Sequence, residues 1–123
     1  MTNIMIKNAL IQKLQTIENV AFAYLFGSYA EDLQKESSDI DVAVFLNKTN
    51  LDSQLQISYE LSKLLKKDVD ILLLNSAKNL SLLEAVLKKS IILKDCDKRV
   101  DFELRTQHDI LDYKEFKRSL NAA

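Results

Sequence analysis

One glycine and no proline occur in the 123 residues of this chain, where average usage would supply about nine and about six. The shortage excludes collagen-like, Gly/Ser-linker and Pro-rich segments. It also excludes the Walker-type phosphate loop and the G-x-G-x-x-G dinucleotide turn, both of which need several glycines. The length is that of one domain, 1–123, and allows a real core without staples. The sole glycine, Gly27, follows directly on a long apolar run, so its position carries the information that its number does not.

Hydrophobic residues make up 47% of the chain and charged residues 28%, with a net charge of −1. Disorder needs less hydrophobicity or more net charge, so most of the chain is expected to fold. The near-neutral balance gives no electrostatic footprint for long nucleic acid. No apolar run approaches the roughly 20 residues of a membrane span, and no signal-peptide core opens the sequence. A single cysteine, Cys96, cannot make an internal disulfide and fits a reducing compartment. The expectation is a cytoplasmic protein with no membrane partner.

The hydrophobic pattern is that of alternating helices and strands. Ile6, Leu10, Leu14 and Ile17 form a helical stripe. Val20 to Phe26 is apolar on both alternating faces, as in a strand buried on both sides. Tyr29 to Leu33 reads as a short helix, Asp39 to Leu46 as a second strand, and Leu51 to Leu65 as a helix ending in Lys66 and Lys67. Val69 to Leu74 is a third strand, interrupted only by Asp70. Ser81 and Glu84 have the spacing of a capping box for a helix to about Lys89. Ile91 to Leu93 reads as a short strand or an apolar extension. A last helix runs from about Asp97, with Val100, Leu104, Leu111, Phe116 and Leu120 as its expected anchors. The order predicts an α+β fold, a small mixed β-sheet flanked by helices.

Two of the three main strands carry aspartates where core residues belong. Asp39 and Asp41 are two apart, so in a strand both project from one face. Such a pair repels, by about 3 kcal/mol at roughly 5 Å in an effective dielectric near 20. A divalent cation between them relieves the repulsion, with the oxygens as ligands. If the third strand lies beside the second, Asp70 completes a carboxylate set suited to two-metal phosphoryl or nucleotidyl transfer. Taken alone, the three acids also fit a blander reading, with Asp39 starting the strand, Asp41 facing solvent and Asp70 capping a turn. Gly27-Ser28 adds a second signal: a turn between a buried strand and a helix start, where a phosphate approaches bare backbone and a hydroxyl can donate to it.

Together these residues resemble a known family. Phe26-Gly27-Ser28-Tyr29-Ala30 followed by Ser38-Asp39-Ile40-Asp41-Val42-Ala43-Val44 is similar to the signature of polymerase-β-type nucleotidyltransferases, in the compact form of the minimal nucleotidyltransferase (MNT) domain. Lys67 to Asn75, containing Asp70, resembles that family's third-acid strand. The resemblance covers about Val20 to Leu93. The family often has a second glycine five residues after the first, where this chain has Asp32, a residue that tolerates positive φ better than most. The resemblance implies a nucleotidyltransferase fold, ATP as nucleotide donor and a two-Mg²⁺ site. By it, Gly27 and Ser28 hold the triphosphate, Asp39 and Asp41 bind metal, and Asp70 binds metal and helps deprotonate the acceptor hydroxyl.

Larger members carry a further domain that holds the acceptor, whereas this chain ends soon after its core. The expectation is that the acceptor arrives on another protein. Similar minimal domains are the antitoxins of HEPN/MNT toxin–antitoxin modules, which implies transfer of AMP to a tyrosine of a HEPN ribonuclease toxin within a hetero-oligomeric complex, with the terminal helix contributing to the contact. Two rival readings are an antitoxin that acts by binding alone and a transferase acting on a small molecule.

The remaining candidates are weaker. His108 is the only histidine and reads as a helix-surface residue, and one His with one Cys argues against zinc. The acidic neighbours of Cys96 argue against a reactive thiolate. Lys66-Lys67 and Lys88-Lys89 read as solvated helix ends, one of which could reach a phosphate. Tyr29 suits packing better than stacking on a base.

Overall fold

The computed structural model describes residues 2–122. Helix α1 (Asn3–Gln15) is capped by Thr2, whose side chain accepts from the Met5 N–H, and it buries Ile6, Leu10 and Leu14. Ile17 lies beyond its end but still packs against the same core. The chain continues through β1 (Val20–Phe26), β2 (Ile40–Leu46), α2 (Leu51–Leu65), β3 (Val69–Leu73), α3 (Leu80–Lys88), β4 (Ile91–Lys94) and α4 (Asp97–Ala122).

The four strands form one mixed sheet in the order β3-β2-β1-β4. β1 runs antiparallel to β2 and to β4, and β2 runs parallel to β3. A parallel pair needs a crossover, which α2 supplies. Period-two alternation divides the sheet into two faces. Ile40, Val42, Val44 and Val69 join the core shared with α1 and α2. Phe22, Tyr24, Ala43 and Leu74 join the opposite core with Leu83 and Val86 of α3, and Phe102 of α4 packs against it. There Phe22 and Phe45 stack at 4.9 Å between ring centroids, with Phe102 tilted against both. The Tyr24 hydroxyl donates to Glu103 at 2.8 Å. Burial, then this carboxylate, pushes the phenol well above its ordinary pKa. Arg99 binds Glu103 and Asp95 at once and so ties α4 down.

Four sequence expectations are corrected. The residues 29–33 form no helix: they pass through consecutive turns, closed by Ala30 N–H to Gly27 O and Leu33 N–H to Ser28 O. Asp32, at φ +56°, leaves the right-handed path and ends any helix there. Asn79 rather than Ser81 caps α3, its side chain accepting from the Leu82 N–H. β2 begins at Ile40, so Asp39 precedes it. The expected anchors of α4 point the wrong way: Val100, Leu104, Leu111, Phe116 and Leu120 are all exposed. The inward stripe is Phe102, Thr106 and Ile110, and all of 111–121 stands exposed.

With glycine absent, α2 ends on a strained residue. Lys66 caps it in the left-handed conformation, φ 55° and ψ 35°, a position that glycine normally fills without steric cost. Lys66→Gly is expected to stabilise the fold by about 0.5–1 kcal/mol, the relief of strain exceeding the added freedom of the unfolded chain. Chemical denaturation checks this; a variant less stable than the parent would contradict it.

Candidate active site

The site lies where β1 ends and β2 and β3 begin. Phe26, the last residue of β1, pairs with Asp41, and Asp41 in turn pairs with Asp70 in parallel register. Neighbours in register project from the same face, so both carboxylates emerge on the α3 side of the sheet. Gly27 follows at φ +74°, and a Cβ placed there would fall on the Asp41 carboxylate, 3.2 Å from its Cγ. Any other residue is strained at this φ, and its Cβ requires the Asp41 side chain to shift. Both the backbone conformation and the close approach of Asp41 favour glycine here.

These residues open onto a cleft of about 510 Å³, within the range of small-molecule and cofactor sites. Phe26, Ile71 and Leu72 of the sheet and Leu82 and Ala85 of α3 give it an apolar wall; Gly27, Glu31, Asp41, Asp70 and Lys89 give it a polar one. Asp41 is half-buried, while Asp39 and Asp70 are exposed. Burial raises the Asp41 pKa above its ordinary value, and the charges of Asp70 and then Asp39 raise it further. Asp41 therefore feels the charge of both other expected acids. Among the described residues no three acidic, histidine or cysteine side chains are gathered into a compact set for one cation. The carboxylates form a coupled rim rather than a closed cage.

The donor set suits a hard divalent cation, since it consists of carboxylate oxygens alone. Burial and then neighbouring negative charge disfavour the charged form of Asp41, and a bound cation would offset that charge. By donor type Asp39, Asp41 and Asp70 fit Mg²⁺, without forming a closed set around one ion.

The turn after Gly27 differs from the expected helix start. With no helix after Gly27, no helix N-terminus follows the glycine, and what stands there is Gly27's bare backbone with the half-buried Ser28 beside it. Asp32 holds the turn in the manner its residue type allows: φ is positive, and its carboxylate accepts from the Asn3 side chain at 2.6 Å. Tyr29 is buried in the α1–α2 core, so it packs and is not available to a base. His108 is exposed and lies 3.3 Å from Asp112, away from the cleft. Glu31 is a polar residue of the cleft that the sequence did not single out. Lys89 belongs to one of the lysine pairs expected to be solvated, one of which could reach a phosphate. The Glu31–Lys89 ion pair, 3.8 Å, spans from the glycine turn to the end of α3.

The mixed sheet thus brings Asp41 and Asp70 together beside the glycine turn. The family model described as polymerase beta, nucleotidyltransferase matches residues 8–99, and the chain belongs to that family. It is 47% identical over 55 residues to a Methanocaldococcus jannaschii protein to which protein adenylyltransferase activity is ascribed, covering 44% of this chain and 59% of that one. It is 38% identical over 74 residues to the protein adenylyltransferase MntA of Shewanella oneidensis, covering 58% of this chain and 52% of that one. The matches thus span little more than half the length of these relatives. Among solved structures, a toxin–antitoxin complex with AMP-PNP contains a chain 29% identical to this one, with a TM-score of 0.73 over 94% of this chain and 93% of that one. The fold is also shared, at 22% identity and a TM-score of 0.74 over 98% and 97% of the two chains, with a structure of the tri-AMPylated Shewanella oneidensis HEPN toxin in complex with MNT antitoxin. Among the described residues no helix is long and apolar enough to cross a membrane.

Proposed function

We propose that this chain, as one minimal domain over residues 1–123, is the antitoxin of a toxin–antitoxin pair and transfers AMP from ATP to a tyrosine of a HEPN-type ribonuclease toxin. The observation that carries the reading is the register of Asp41 with Asp70 against the positive-φ glycine that the Asp41 carboxylate closely approaches. The AMP-PNP complex and the adenylyltransferase relatives support ATP as donor and a protein as acceptor.

In this mechanism Gly27 lets the triphosphate lie against the backbone, and the Ser28 hydroxyl donates to a phosphate oxygen. Asp39, Asp41 and Asp70 would hold Mg²⁺, which when bound offsets their charge and draws electron density from phosphate oxygens. The tyrosine hydroxyl oxygen attacks the α-phosphorus, the bond from that phosphorus to the bridging oxygen breaks, and pyrophosphate leaves. Asp70, exposed at the rim of the cleft, would accept the phenolic proton. The apolar wall of Phe26, Leu72 and Leu82 offers a surface to the adenine.

The exposed apolar residues of α4, with Leu104, Leu111, Phe116 and Leu120 each about 60% accessible or more, supply a surface for the partner, since monomers seldom leave such stretches bare. The test is the mass of the partner toxin after incubation with this chain, ATP and Mg²⁺. Increase by AMP units is expected. An unchanged mass within a stable complex would leave a purely steric antitoxin, and nucleotide turnover without the toxin would point to a small-molecule acceptor.

A further inference from the structure

The residues lining the cleft include three carboxylates, Glu31, Asp41 and Asp70, and one cation, Lys89. A polyphosphate chain entering among carboxylates meets repulsion that backbone alone does not offset. Lys89 stands at the C-terminal end of α3, and its ammonium lies 3.8 Å from Glu31 of the glycine turn, with the two side chains 65% and 35% exposed. So long and so exposed an ion pair contributes little stability, and its partners separate readily. Glu31 belongs to the same turn as Gly27 and Ser28: its N–H donates to the Ser28 carbonyl at 3.3 Å.

We propose that Lys89 binds the phosphate chain of the nucleotide, and that its pair with Glu31 is a resting contact which the phosphates displace. The inference rests on the nucleotide reading of the cleft given above and adds to it a positioning residue and a competitor. In the free protein Glu31 occupies the ammonium and bridges the glycine turn to α3. When the nucleotide enters, Lys89 exchanges a carboxylate for a phosphate oxygen, with no bond made or broken. Glu31 then opposes binding in two ways, by holding Lys89 and by placing negative charge beside the phosphates.

The test compares binding of a non-hydrolysable ATP analogue and of adenosine, both with Mg²⁺, to the whole chain. Lys89→Gln is expected to weaken the analogue about tenfold, the scale of one charge-assisted hydrogen bond, and to leave adenosine unchanged. Lys89→Arg should restore most of the loss. Glu31→Gln should tighten the analogue by about threefold or more, and should add nothing comparable when Lys89 is already Gln. If the parent binds the analogue and Lys89→Gln binds it equally well, the assignment of Lys89 falls while the nucleotide reading stands. If the parent binds no analogue at all, the nucleotide reading falls and the assignment with it. Weaker binding by Glu31→Gln would overturn the competitor role.

Discussion

Asp41→Asn should abolish transfer and stabilise the protein. Loss of a carboxylate from the proposed cation site removes several kcal/mol of transition-state stabilisation, so the transfer rate is expected to fall by about a thousandfold or more, roughly 4 kcal/mol of barrier. The effect on folding has the opposite sign. Burial and the charges of Asp70 and Asp39 raise the Asp41 pKa in the folded state, so the folded protein holds this proton more tightly than the unfolded chain. Stability linked to Asp41 is therefore lost as the pH rises from the ordinary value of 3.8 through the raised one, and the penalty is complete above the raised value. Asparagine has no charge to impose it. In metal-free buffer at pH 7 the variant should melt at the same temperature or up to a few degrees higher, and the gap should narrow as the pH is lowered toward 3.8. Near-normal transfer by this variant would remove Asp41 from the site, and a clear drop in melting temperature would contradict the electrostatic account.

Gly27→Ala should lose both activity and stability. Alanine at φ +74° pays roughly 1–2 kcal/mol for the left-handed conformation. Its Cβ would also meet the Asp41 carboxylate, which has to move for the chain to fold. Either response displaces the carboxylate or the turn that would receive the triphosphate. Misplacement by about 1 Å can cost a hundredfold in rate, so transfer should drop by about that factor or more. Asp41→Asn and Gly27→Ala thus agree in activity and differ in the sign of the stability change, a contrast that general damage to the fold does not produce. Melting curves with initial transfer rates measure both.

The parts of this site that were legible in the sequence are those fixed by short-range geometry. Val20–Phe26 and Ile40–Leu46 are strands because their apolar runs leave no other fold-compatible face, and an aspartate inside such a run is conspicuous. Asp32 could be read as a substitute for glycine because asparagine and aspartate are the residue types that tolerate positive φ, and φ is indeed +56°. Lys89 was not legible as part of the cleft. Its place depends on how α3 crosses the sheet, a tertiary fact that two adjacent lysines at a helix end do not encode. The helix expected at residues 29–33 failed for a related reason: Tyr29 turns into the α1–α2 core and Asp32 reverses the backbone twist. On α4 the period was right and the phase wrong, because Val100, Leu104 and Leu111 mark one stripe and Phe102, Thr106 and Ile110 another. Only packing against Phe22 and Phe45 decides which faces inward. The uncovered stripe is what the partner surface is proposed to be.

The fate of the α-phosphate separates AMP transfer from its rivals. ATP labelled at the α-phosphorus and ATP labelled at the γ-phosphorus are each incubated with this chain, its toxin partner and Mg²⁺, and the label on the toxin is measured. AMP transfer predicts that the α-label enters the toxin, on a tyrosine, while the γ-label leaves as pyrophosphate, and that Asp41→Asn abolishes the incorporation. Label entering from the γ-position, or no α-label on a toxin that the chain nonetheless binds and silences, would contradict it.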